Sequence, residues 1–148
     1  MKRDGLPADD ARIIEAQDVV RSALAWAKSE LTVRAVALVG SWARSAARRD
    51  SDLDLVVLCE GSSDMLGRTD WYNAFGIGEV VSQRDFGSIQ ERRLRLASGF
   101  EIEVGIGPTS WADVPVDPGT AQVALDGLKV LYDPDGHLAC LLDALSDQ

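Results

Sequence analysis

The chain has 148 residues, 46% of them hydrophobic and 26% charged, and its formal net charge is −9. That is the size of one domain spanning residues 1–148 with a real core. The acidity argues against a protein that grips extended nucleic acid, because phosphate binding needs a positive footprint.

A nucleotide held locally through metal ions is not excluded, since bound cations invert the local charge logic. No run approaches the roughly 20 apolar residues of a membrane span. The polar start, Met1-Lys2-Arg3-Asp4-Gly5, has no apolar core of a signal peptide. Cys59 and Cys140 lie far apart and form no metal spacing, so reduced thiols and a cytoplasmic location are expected.

Residues 1–7 read as a frayed start, with Pro7 opening the first element. Ala8 to Glu30 follows as an amphipathic helix, with Ile13, Ala16, Val20, Leu24 and Ala27 at helical spacing. Val33 to Val39 is an apolar strand that ends at Gly40. Trp42 to Arg48 is rich in helix formers and predicts a short helix. Leu53 to Cys59 is a second strand. Ser62 or Ser63 then caps a helix running to about Phe75, broken by Gly76-Ile77-Gly78.

Val80 and Val81 begin a third strand. Ile89 to Leu96 and Phe100 to Ile106 alternate with period two around the Ser98-Gly99 turn, which predicts a hairpin. On the second of these, Phe100, Ile102, Val104 and Ile106 face one way, and Glu101 and Glu103 face the other. After a Pro-containing connector come a helix over Gly119 to Gly127, a strand over Lys129 to Tyr132, and a helix over His137 to Leu145. The fold class expected is α+β with a mixed sheet.

The chemistry concentrates between the first two strands. Side chains alternate along a strand, so Asp52 and Asp54 share one face while Leu53, Leu55 and Val57 share the other. Two neighbouring carboxylates repel unless a cation or a proton relieves them. A pair of Mg²⁺ ions does so in two-metal phosphoryl transfer. Upstream, Gly40-Ser41 makes a strand-to-turn corner that allows close backbone approach and presents N–H groups to a phosphate. Ser41 adds a hydroxyl, and Arg44 lies within reach of a phosphate tail.

Glu103, in the middle of an apolar run, is the favoured third acid if its strand neighbours that of Asp52 and Asp54. Arg93 and Arg95 read as cross-strand partners of Glu101 and Glu103. His137 reads as structural, and Trp42, Trp71 and Trp111 as packing.

Gly40-Ser41, then Ser51-Asp52-Leu53-Asp54-Leu55, then Ile102-Glu103-Val104, resemble the signature of the nucleotidyltransferase superfamily of the DNA polymerase β type. The short length is similar to minimal stand-alone members, including aminoglycoside adenylyltransferase-like and antitoxin-type ones. The resemblance implies a mixed sheet with helices on one face and the catalytic acids on the other. It implies Mg²⁺-dependent transfer of a nucleoside monophosphate, AMP from ATP being the first choice, to an acceptor hydroxyl on a small molecule or a protein. Asp52, Asp54 and Glu103 would hold two Mg²⁺ ions, and Gly40, Ser41 and Arg44 would bind the nucleoside triphosphate.

The chain departs from the pattern at Ser45, where many members have Gly. The alternative implied by the same resemblance is an antitoxin-like module paired with a helical toxin; a homodimer is a further possible assembly. A third reading, a sugar-nucleotide glycosyltransferase built on Asp-x-Asp, gives the Gly-Ser corner no role.

Overall fold

The computed structural model describes residues 6–68, 70–75 and 79–146. Six strands form one mixed sheet: β1 (Val33–Val39), β2 (Leu53–Cys59), β3 (Glu79–Phe86), β4 (Ile89–Arg95), β5 (Glu101–Gly107) and β6 (Leu128–Tyr132), in spatial order β3-β4-β5-β2-β1-β6. β2 and β5 pair parallel, and the other neighbours pair antiparallel. The expected hairpin is β4–β5. Both β1 and β2 sit inside the sheet and are buried along nearly their whole length, which is why each reads as a continuous apolar run.

The first helix, α1 (Asp10–Ser29), starts at Asp9, whose carboxylate accepts from the Arg12 amide at 2.9 Å. Pro7 lies outside it, in a bridge to Arg48. The buried stripe of α1 is Ala16, Val19, Ala23, Trp26 and Ala27, rotated from the expected one, and Ile13 is exposed. Alanines at three of these positions bring the helix close to the sheet. Trp26 then fits against Trp71 and Phe75 in the 3-10 turn Asp70–Phe75. Under this layer lie Leu53, Leu55, Val57, Ile102, Val104 and Ile106.

The opposite face carries a smaller core of Ala35, Ala37, Val39, Val56 and Leu58. It is covered by the 3-10 turn Thr109–Ala112 and by α3 (Pro118–Leu125) and α4 (His137–Ser146). The two acids of the Asp-x-Asp segment lie on this second face, at the end these elements leave uncovered. Among the described residues no helix is long and apolar enough to cross a membrane.

Two local expectations change. The segment from Ser62 is α2 (Ser62–Gly67), capped by left-handed Gly61 with no side-chain cap, and it stops at Arg68. Arg68 is extended and holds both Glu30 and Asp70, which anchors the break. The glycines expected to break this helix further on, Gly76 and Gly78, fall outside the described residues. Trp42 to Arg48 forms one turn rather than a helix. The Gly40 carbonyl accepts from the Ala43 and Arg44 amides, Ser45 turns left-handed at φ 58°, and the Ala46 amide closes back on the Ser41 carbonyl at 2.9 Å.

This conformation favours glycine, so Ser45 holds the turn at a backbone cost. Relief of the left-handed cost predicts that Ser45→Gly raises stability by about 1 kcal/mol. Tm would rise by roughly 3 °C in calorimetry. A lowered Tm would show that Ser45 is not strained.

Candidate active site

Strand register assembles the site. The parallel β2–β5 pair sets Asp54 opposite Glu103. The antiparallel β4–β5 pair sets Arg93 opposite Glu103 and Arg95 opposite Glu101. On its other side Asp54 faces Val39, the last residue of β1, so the chain turns at Gly40 beside the Asp54 carboxylate. Alternation then puts Asp52, Asp54, Glu101, Glu103 and Arg93 on one face, with Leu53 and Ile102 buried beneath.

Arg93 is the hub. Its guanidinium donates to Asp52 Oδ2 and to Glu103 Oε1, and to Glu101 Oε1 at 3.0 Å. Burial opposes its charge, but the hydrogen bonds to Asp52 and Glu101 and the charge of Glu103 outweigh that, and its pKa lies above the usual arginine value. Arg95 binds Glu101 at 2.8 Å and Glu79 at 3.4 Å, and holds Glu101 below the usual carboxylate range. The predicted cross-strand pairing is therefore present, and it reaches across β5 to Asp52.

Asp54 has no hydrogen bond to Arg93. Its Oδ1 is buried with no hydrogen-bond partner. Burial, then the adjacent Glu103 carboxyl, then Asp52 and Glu91, push its pKa from 3.8 to about 8. A buried carboxylate oxygen with no donor favours either a proton or a cation.

Gly40, at φ 77°, seats this carboxylate: a Cβ there would lie 2.6 Å from Asp54 Oδ2. The Gly40 amide is used by the Gly127 carbonyl at 3.3 Å. Arg44 also serves this corner. Its guanidinium donates to the Asp126 carbonyl at 2.8 Å, and its stem lies where a Cβ on Gly127 would be. Arg44 thus ties the turn to the start of β6.

From Asp54 and Glu103 a cleft of about 750 Å³ runs past Gly105 and Ile89 to Trp111 and the start of α3. Gly105 keeps its floor low, since a Cβ there would meet Ile89 Cγ2 at 2.8 Å. Glu91 also lines the cleft, raised in pKa by burial and then by the charge of Glu103. Sequence reading had passed over it, although Glu91, Arg93 and Arg95 share one face of β4 by the same period of two. His137 begins α4, 4.0 Å from Asp135. Trp42 packs edge-on to Phe100, and Trp71 and Trp111 are buried.

Among the described residues no three His, Cys, Asp or Glu side chains stand ready as a set of metal donors. The guanidinium of Arg93 lies between Asp52 and Glu103. The donor set itself fits a hard divalent cation: three carboxylates on one face, one with an orphaned buried oxygen.

The family model described as streptomycin adenylyltransferase matches residues 14–101, more than half of the chain. The match takes in Gly40-Ser41, Asp52 and Asp54 and stops two residues short of Glu103. No curated protein matches. Among solved structures, the chain is similar to a cytoplasmic RNA terminal U-transferase, with 18% identity, a TM-score of 0.52, and 70% of this chain and 32% of that chain covered. It is also similar to the Cid1 poly(U) polymerase with Mg and 3'-dATP bound, with 18% identity, a TM-score of 0.51, and 70% and 34% covered. An aminoglycoside 6-adenyltransferase from Bacillus subtilis aligns at a TM-score of 0.47 with 14% identity, covering 66% and 36%, too weakly to carry an argument. The chain spans about a third of the length of these solved structures. At such identities the likeness is one of fold, the nucleotidyltransferase fold.

Proposed function

Because the chain belongs to the streptomycin adenylyltransferase family, we propose that it is a nucleotidyltransferase that moves AMP from ATP to an acceptor hydroxyl in an Mg²⁺-dependent reaction. The observation that carries this is the row across the sheet: Asp54 beside Glu103, with Asp52 on the same face and the Gly40 turn against Asp54.

Asp52, Asp54 and Glu103 would hold Mg²⁺, which when bound neutralises triphosphate charge and acidifies the acceptor hydroxyl. The acceptor oxygen forms a bond to the α-phosphorus, the bond to the pyrophosphate oxygen breaks, and the hydroxyl proton passes to a carboxylate, the role assigned here to Glu103. The Gly40 amide is committed to Gly127, and we assign phosphate binding at this corner to the Ser41 amide and hydroxyl. Arg44 supports them by fixing the turn. Apolar Ile89 and Trp111 shape the far end of the cleft, where the acceptor or the base would lie.

The test is incubation with α-labelled ATP, Mg²⁺ and a panel of hydroxyl-bearing acceptors, among them small molecules and proteins. Wild type is expected to transfer label. Asp52→Asn and Glu103→Gln are expected to lose it while staying folded, and undiminished transfer by either would remove that residue from the site. None of the observations above favours pairing with a helical toxin.

A further inference from the structure

Arg93 is the cation already resident among the acids. It comes from β4, one strand beyond Glu103, and holds one oxygen of each of Asp52, Glu103 and Glu101. Two of those three are the acids assigned to the metal. Asp54, the remaining one, has no bond to Arg93 and keeps an unpartnered buried oxygen. The guanidinium therefore satisfies part of the donor set and leaves Asp54, with its buried unpartnered oxygen, unsatisfied. A full guanidinium charge and a divalent ion drawing on the same carboxylate oxygens would repel strongly in a partly buried site.

We propose that Arg93 is an exchangeable counter-ion of the active site: it neutralises Asp52 and Glu103 in the metal-free enzyme, and the divalent cation binds by displacing it. This rests on the nucleotidyltransferase reading above. The side chain has somewhere to go. Glu101 belongs to the same strand as Glu103 but is not assigned to the metal, and it already accepts from Arg93 at 3.0 Å. Arg95 also holds Glu101 from the rim, so the acid stays in place to receive the displaced guanidinium. Metal affinity in this chain is then set partly by an arginine that is not a ligand, and that positions the acids when no metal is there.

The experiment is calorimetric titration of the full chain with MgCl₂ and with MnCl₂, alone and with a non-hydrolysable ATP analogue, on wild type, Arg93→Met, Arg93→Lys and Asp54→Asn. Removing the competing charge is expected to tighten Mg²⁺ and Mn²⁺ binding by about ten- to a hundredfold in Arg93→Met. Arg93→Lys, which keeps the charge, is expected to stay near wild type. Equal or weaker binding by Arg93→Met would overturn the exchange and leave the enzyme reading standing. No binding by wild type or Arg93→Met, with or without the analogue, would overturn the metal-site reading itself.

If Arg93→Met does not fold, wild type decides the matter. The guanidinium NMR signal of Arg93 is expected to lose its carboxylate-bound signature as Mg²⁺ saturates the site. A signal that stays unchanged while Mg²⁺ binds would overturn the proposal.

Discussion

Asp54→Asn is expected to stabilise the metal-free protein at alkaline pH while lowering nucleotidyl transfer on the order of a thousandfold. The two effects have one cause. Asp54 is half-buried beside Glu103, and its pKa in the fold is about 8 against 3.8 when unperturbed. The sign follows from linkage. Below pH 3.8 the carboxyl is protonated in both states and contributes no difference. Between 3.8 and about 8 the unfolded chain has released this proton and the native state keeps it, so this group makes stability fall as pH rises. Above about 8 both forms are ionised and the penalty is constant.

Asparagine removes that slope. Its amide can donate to Glu103 as the protonated carboxyl does, without the charge. The gain above pH 8 follows from a pKa moved from 3.8 to about 8, at roughly 1.36 kcal/mol per pH unit, and is on the order of 5 kcal/mol. Subtracting the mutant's urea-derived stability from wild type's at each pH isolates the term. A flat difference from pH 4 to 9 would show that Asp54 is not proton-loaded. Saturating Mg²⁺ is expected to shrink the difference, because a cation relieves what the proton relieves.

The features that were legible in the sequence are those encoded over a few residues. β1 and β2 were readable to their end residues because burial on both faces leaves uninterrupted apolar runs. Asp52, Asp54 and Glu103 stood out because they are acids at or within apolar runs, and a period of two sets each on the face opposite Leu53 and Ile102. What brings Asp54 to Glu103 is a parallel pairing across nearly fifty residues of chain, and no local pattern specifies that register.

Arg93 shows the same limit. Arginines alternating on a strand look alike whether they end in solvent or on the acids of the site. The missed turn at Trp42 to Arg48 has a different origin. Alanine and arginine favour helix, but left-handed Ser45 and the Ala46–Ser41 hydrogen bond close the segment after one turn. The α1 stripe was assigned in part: Ala16 and Ala27 are buried as expected, whereas Ile13 is exposed and Val19, Ala23 and Trp26 take the remaining buried positions.

Gly40→Ala is expected to combine a modest loss of stability with a large loss of activity. The backbone cost is ordinary: alanine at φ 77° costs about 1–2 kcal/mol. The steric conflict is the decisive part. The new methyl carbon would lie 2.6 Å from Asp54 Oδ2, and it is the end of a side chain that must move, not a strand. That movement is cheap for folding, since a carboxylate can rotate, but it displaces an acid assigned to the metal. Misplacement of about 1 Å costs on the order of a hundredfold in rate.

Gly136 supplies the control. Its φ is 79°, nearly that of Gly40, and a Cβ there meets nothing within 4 Å. Gly136→Ala is expected to lose a similar 1–2 kcal/mol and to retain wild-type transfer. If both variants lose activity in proportion to stability, the loss belongs to the fold. If Gly40→Ala alone loses transfer at matched stability, the contact between Gly40 and Asp54 belongs to the active site.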